Sequence, residues 1–267
     1  MAGRDEIRAL AGEARRVLER EAASGHGALW AQSAGEPVSP RPRRPVAPPE
    51  TEATKAATVS TVAIAEAAPD GVSPPGDTLE VIAAEVRACT KCGLHQTRNL
   101  AVPGKGTGRA GIVFVGEAPG AEEDRRGEPF VGRAGDLLGK IIAAMDEKKL
   151  IPDVSVTREA VYIANVLKCR PPENRNPMPH EIEACSPHLR RQLAVLRPKI
   201  ICCLGKFAAE LLVGAKGTLG GMRGTVYRYG DAKLIVTYHP AACLRNPGYK
   251  RPVWEDMQLL AREYQTA

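Results

Sequence analysis

Four of the seven cysteines fall into two pairs, Cys89/Cys92 as C-x2-C and Cys169/Cys185 as C-x15-C. A set of four thiolates suits zinc or an iron–sulfur cluster, since both accept tetrahedral sulfur ligation. The N-terminus, "MAGRDEIRALAGEARRVLER", is charged throughout and lacks the apolar core of a signal peptide. A reducing, cytoplasmic setting is therefore expected, in which cysteines serve as thiols or metal ligands rather than disulfides. Cys202 and Cys203 sit inside the apolar run "KIICCLG" and read as core thiols, and nothing pairs Cys243 with a metal.

A second concentration of chemistry is "GEAPGAEEDRRGEPFVGRAG", residues 116–135. Ala118 and Pro119 break the dinucleotide fingerprint, and neither this segment nor "GKGTG" supplies the lysine and hydroxyl of a P-loop. Glu117, Glu122, Glu123 and Asp124 are candidate acids or bases, or simply a solvated loop face. The Pro119-Gly120 turn bends the chain sharply and bares backbone N–H groups that can hold a carbonyl oxygen or an anion.

These groups must be positioned by a scaffold, and its pattern is legible. "GIVFVG" (111–116), "AVYIANVL" (160–167), "KIICCLG" (199–205) and "KLIVTYH" (233–239) are β-branched, apolar runs suited to strands buried on both faces. Helical periodicity separates them: Leu137, Leu138, Ile141, Ile142 and Met145; Ile182, Leu189, Leu193 and Leu196; Phe207 to Leu212; and Val253 to Tyr264 at the end. A Gly-Asp turn in "TVYRYGDAKLIVTY" predicts a hairpin before the last strand. The expected fold is an α/β three-layer αβα sandwich with a central four-stranded, mainly parallel sheet, preceded by a disordered N-terminal extension. Ligands of such sheets bind beyond the carboxyl ends of the strands. The strand ends deliver Gly116-Glu117, Asn165 and His239 to one edge.

Residues 1–24 form an isolated amphipathic helix in this reading, with Ile7, Leu10, Ala11, Ala14 and Leu18 on one stripe, able to dock a protein partner. Residues 25–78 are rich in Pro and Ala with few large apolar side chains, the composition of a disordered linker. Residues 79–267 carry the domain. Charge divides the same way: net −2 over 1–78 and net +8 over 79–267. A basic domain points to a polyanion, most simply nucleic acid. No apolar run approaches a membrane span.

Two segments, "GEAPGAEEDRRGEPFVGRAG" and "HPAACLRNP" (239–247), resemble the signature motifs of the family 4, iron–sulfur uracil-DNA glycosylases of bacteria and archaea. "CTKCGLHQTRNLAVPGKG" and "YIANVLKCRPPENRNP" match as well, in the right order, over roughly residues 80–265. The resemblance implies a monomeric DNA-repair enzyme of the cytoplasm and nucleoid that flips uracil out of DNA and hydrolyses its glycosidic bond without cutting the strand. It chooses a structural 4Fe–4S cluster on Cys89, Cys92, Cys169 and Cys185. It implies that Gly116, Glu117, Ala118, Phe130, Asn165 and His239 bind the base, Phe130 by stacking, Asn165 by reading its edge and His239 at O2. Leu244 or Arg245 would fill the gap left by the flipped nucleotide, and Arg170, Arg175, Lys250 and Arg251 would contact phosphates.

Two departures stand out. The best-known uracil-DNA glycosylases carry an Asp at the position of Ala118, where it orients water, and a Tyr at that of Gly120, where it excludes the thymine methyl. Glu117 is the first substitute for the water-orienting group and Glu123 the second; Glu123 can also stand in for the Tyr. Two other possibilities are a relative that cross-links to the abasic sugar and a non-catalytic, cluster-bearing DNA-binding module. The former carries Gln in the first motif and a basic insertion, neither of which this chain has. Intact Asn165 and His239 argue against the latter.

Overall fold

A computed structural model describes residues 74–214 and 216–267. The expected N-terminal helix and all but the last residues of the linker lie outside the described residues. Helices α1 (Leu79–Ala88), α2 (Ala121–Arg126), α3 (Arg133–Glu147), α4 (Pro179–Leu196), α5 (Lys206–Val213), α6 (Leu219–Met222), α7 (Pro240–Arg245) and α8 (Lys250–Gln265) surround one sheet. Its strands are β1 (Lys105–Gly106), β2 (Ile112–Gly116), β3 (Tyr162–Asn165), β4 (Ile200–Leu204), β5 (Tyr227–Tyr229) and β6 (Ala232–Thr237), in the order β1-β3-β2-β4-β6-β5.

The sheet has six strands where four were expected. The four apolar runs form the parallel centre, β3-β2-β4-β6, and an antiparallel strand closes each edge. β5 is the first arm of the expected hairpin and joins the sheet as an edge. β1 escaped notice because two residues, Lys105 and Gly106, carry no apolar signature. It pairs with Tyr162 and Ile163, and Gly106, at φ +110°, sits where a Cβ would strike the Val161 carbonyl oxygen at 1.9 Å.

Alternation along the buried strands sorts the core into two layers. Val113, Val115, Ile201, Cys203, Leu234 and Val236 face Leu189 and Leu193 of α4 and Leu212 of α5. Ile112, Phe114, Ile200, Cys202 and Ile235 face Leu138, Ile142 and Met145 of α3 and Leu260 of α8. The three-layer expectation holds, and Cys202 and Cys203 are fully buried core thiols. On the outside of α4, α1 adds Ile82 and Val86 against Val195. Thr78 caps α1 by accepting from the Val81 N–H, and Asp77 takes two hydrogen bonds from Arg191 of α4. The end of the expected linker is therefore part of the fold.

β2 pairs with β3 on one side and β4 on the other, so the connection after β3 crosses to the far side of β2. That reversal opens a crevice at the carboxyl ends of the strands. The edge near β6 is braced by a buried carboxylate. Asp256 of α8 accepts from Arg223 Nε at 2.7 Å and Nη2 at 3.0 Å, and from Thr237 Oγ1 at 2.5 Å, two residues before His239. Removing one partner of such a buried set typically costs about 3–5 kcal/mol, because the remaining charge is stranded. Asp256→Ala should lower stability by about that amount in urea denaturation; a change under about 1 kcal/mol, the range of an exposed pair, would show that the bridge is not structural.

Candidate active site and thiol cavity

The crevice is a cavity of about 420 Å³ lined by Glu117, Ala118, Pro119, Gly120, Glu123, Phe130, Asn165, His239 and Arg245, among others. Most of the expected site residues are thus brought together. Gly116 lies beneath it at the end of β2, in register with Asn165 at the end of β3. A Cβ on Gly116 would lie 2.4 Å from Asn165 Oδ1 and 2.6 Å from the Phe130 ring. Glycine is required because amide and ring both close over the same backbone atom. Asn165 is 2% exposed, and its Oδ1 has no hydrogen-bond partner. A buried polar atom left so is uncommon and calls for a donor, from a water, an ion or a ligand.

Phe130 forms the facing wall, its ring 5.5 Å from the His239 ring at an interplanar angle of 30°. Its backbone is strained, with φ +54°. Arg158 secures it by donating from Nη2 to the Pro129 carbonyl at 2.8 Å and the Phe130 carbonyl at 2.6 Å. Gly135 of α3 allows that carbonyl to approach where a Cβ would lie 1.8 Å away. Arg158 carries no sequence signal of this duty, since it lies 28 residues from Phe130 in an unremarkable segment.

Glu123 and Glu117 are used differently. Glu123 stands at the third position of α2, and its Oε2 accepts from the Gly120 N–H at 3.1 Å. Its Oε1 accepts from Val131 N at 3.0 Å and Gly132 N at 3.1 Å. Its carboxylate thus pins the Pro119-Gly120 turn to the segment carrying Phe130. Glu117 is half-buried at the cavity, and burial raises its pKa above the usual carboxylate value. The carbonyls of Gly116 and Glu117 accept from Val166 and Leu167 N–H, both at 3.0 Å.

His239 caps α7. Its Nδ1 accepts from the Ala241 N–H at 3.1 Å, and Pro240 occupies the first helical position. A nitrogen that accepts a backbone N–H carries no proton, so the neutral ring holds its hydrogen on Nε2 as a donor. Burial first, then the charge of Arg245, brings its pKa down to about 4, against a smaller opposite pull from Glu123. Leu244, 38% exposed, and Arg245 occupy the last turn of α7, with Arg245 on the cavity.

The segment between Cys169 and Cys185 forms another wall, through Pro171, Asn174, Arg175 and Asn176. Arg175 is anchored by a bidentate pair with Glu181 at 2.9 and 2.6 Å, and Arg170 Nε donates to Asn174 Oδ1 at 2.8 Å. The asparagines were absent from the expected site, although Asn174, at φ +56°, holds a conformation that asparagine tolerates well. Lys250 and Arg251 begin α8, with Arg251 paired to Glu255.

Behind this wall Cys89, Cys92, Cys169 and Cys185 line one small cavity with Lys91, His95, Arg98, Lys168 and His188. Arg98 Nη1 donates to Cys169 Sγ at 3.0 Å, and the Lys168 N–H to Cys185 Sγ at 3.2 Å. No group of three or more His, Cys, Asp or Glu side chains that could hold a single metal ion is found among the described residues. The thiols therefore share a cavity without closing on one point.

Residues 103–258 match the uracil DNA glycosylase superfamily. A type-4 uracil-DNA glycosylase of Archaeoglobus fulgidus is 45% identical over 190 residues, 68% of this chain and 91% of the relative. The chain belongs to the type-4 uracil-DNA glycosylase family. Relatives of the same description from Sulfurisphaera tokodaii and Thermotoga maritima are 44% and 41% identical, covering 83% and 92% of their own lengths. In this type-4 chain the helices among the described residues include none long and apolar enough to cross a membrane.

The lowered histidine pKa has a definite sign. A His whose folded pKa lies below its unfolded value binds fewer protons when folded, so stability is lost as pH falls from about 6.5 toward 4. In ¹⁵N NMR, His239 should titrate near pH 4, with its Nε2–H tautomer populated above that. A midpoint near the ordinary value of about 6.5 would contradict the burial of the ring, and an Nδ1–H tautomer would contradict the cap.

Proposed function

We propose that the chain is a DNA-repair glycosylase that takes uracil from DNA into the Phe130–Asn165–His239 cavity and hydrolyses its N-glycosidic bond, leaving an abasic site. The observation that carries this is the buried, unpartnered Asn165 Oδ1, in a residue that lines the same cavity as His239. The Nδ1 of His239 is occupied by the Ala241 N–H, so that Nε2 carries the hydrogen. A base inside a duplex must be extruded to reach such a pocket. Uracil offers an N3–H to Asn165 Oδ1 and an O4 to its amide N–H, whereas cytosine offers the opposite pattern. A mispaired buried amide costs about 1–3 kcal/mol per group, which selects against cytosine. The Phe130 face stacks on the flat ring.

In the reaction the C1′–N1 bond breaks and its electron pair leaves with the base, while water adds to C1′. The charge developing on uracil O2 meets the Nε2–H of neutral His239, a donor that needs no reorganisation. Glu117 is the water-orienting base: it stands at the position before Ala118, and its carboxyl is not committed to the loop as that of Glu123 is. Leu244 and Arg245, at the mouth, fill the space the nucleotide vacates. The +8 charge of residues 79–267 supports attraction to the phosphate backbone.

Cys89, Cys92, Cys169 and Cys185 hold a 4Fe–4S cluster in this reading, and the cluster braces the chain without redox work because hydrolysis moves no electrons. Support comes from the donor set. Four thiols share one cavity, two of their sulfurs accept N–H bonds, and cationic side chains surround them.

A uracil-containing oligonucleotide incubated with the protein and then treated with alkali should be cut at the uracil. His239→Ala should lower the single-turnover rate by about 10²–10³, the usual loss for one such donor; an undiminished rate would refute its role. The raised pKa of Glu117 keeps it protonated to higher pH than an ordinary glutamate, so the rate should fall on the acid side through that raised value. Glu117→Gln should abolish that limb and slow excision; full single-turnover activity in this variant would exclude Glu117 as the base.

A further inference from the structure

His188 projects from α4 three residues after Cys185, a ligand in the cluster reading on which this inference rests. It is 2% exposed and lines the thiol cavity. Neither Nδ1 nor Nε2 has a hydrogen-bond partner, so both polar atoms of the ring are buried and orphaned. The other imidazole of the cavity, His95, is already committed through Nδ1–H to the Cys92 carbonyl at 2.7 Å. A buried imidazole with no partner demands a group that supplies one. Around His188 stand the cationic side chains Lys91, Lys168 and Arg191, with Glu85 the opposing carboxylate. Arg191 is neutralised by Asp77 and Glu85, whereas fully buried Lys168 bonds through Nζ to the neutral Gln192 oxygen at 2.7 Å. The field at the cavity is therefore positive, and what completes it is an anion that accepts hydrogen bonds.

We propose that His188 donates a ring N–H to a sulfur of the iron–sulfur cluster, as a positioning residue that tunes the cluster and holds it in place without ligating iron. Four thiolates fill the iron coordination, so the imidazole acts on sulfur. Hydrogen bonds to cluster sulfurs raise the reduction potential by stabilising the more negative, reduced form. Outer partners of this kind also retain the metal.

Full-length protein purified without oxygen should contain stoichiometric iron and sulfide; their absence in the wild type would sink the cluster reading before any variant is made. In a redox titration followed by electron paramagnetic resonance, His188→Leu should move the cluster potential to more negative values. It should also release iron to a chelator roughly tenfold faster. His188→Gln, which keeps an N–H donor, should restore most of both. An unchanged potential and unchanged release in His188→Leu would overturn the proposal. If that variant fails to fold, pulsed resonance on reduced wild type with ¹⁵N-labelled histidine should show a nitrogen coupling that His188→Gln lacks. Identical spectra would overturn it equally.

Discussion

The site depends on the absence of one atom. Gly116 ends the central strand β2, and the space its missing side chain leaves is entered from two directions, by the Asn165 amide and by the edge of the Phe130 ring. Even an alanine there would push apart the Asn165 amide and the Phe130 ring. Parallel pairing of β2 with β3 places Asn165 across from Gly116, since each strand residue is held opposite one partner. The shape of the pocket is in this sense a property of the sheet.

Phe130 is held from the loop side. Its positive φ is a local cost that persists only if the surroundings impose it. Three neighbours do so: Arg158 bonds its carbonyl, Gly135 admits it, and Glu123 ties the following two N–H groups to the Pro119-Gly120 turn. Family comparison suggested a chemical role for Glu123, but its two oxygens are spread over three backbone donors. A carboxylate so used preorganises a loop, and moving it to activate water would release the aromatic wall. Glu117 escapes that conflict because its side chain is not needed to shape the turn.

How much of this was legible follows from the range of the interactions. The four buried strands announced themselves, since apolar β-branched runs are a local signal. The layers followed, and the strand ends carrying Gly116, Asn165 and His239 could be placed on one edge. β1 could not be read, because a two-residue edge strand is defined by its partner alone. Arg158 and Gly135 were hidden for the same reason: their importance comes from contact with Phe130, not from their own surroundings in the chain. Glu123 shows the reverse case: its residue type suggested chemistry, and nothing in the sequence signals that its carboxylate accepts three backbone N–H groups. Asn174 and Asn176 were quoted within a motif, yet only the folded loop turns them toward the cavity.

That loop joins the two halves of the molecule's chemistry. Cys169 and Cys185 bracket it, and between them Pro171, Asn174, Arg175 and Asn176 line the cavity at the strand ends. Its inner end is held by sulfur, through the Lys168 N–H on Cys185 and Arg98 on Cys169, and its outer end by the Arg175–Glu181 pair. A segment rich in proline and asparagine has few apolar side chains with which to fix itself, so its shape must be imposed at its ends. A group bridging the thiols would clamp the inner end from the far side and set the pocket wall at a distance. The position of one wall of the pocket is thus set at the thiols, away from the pocket itself.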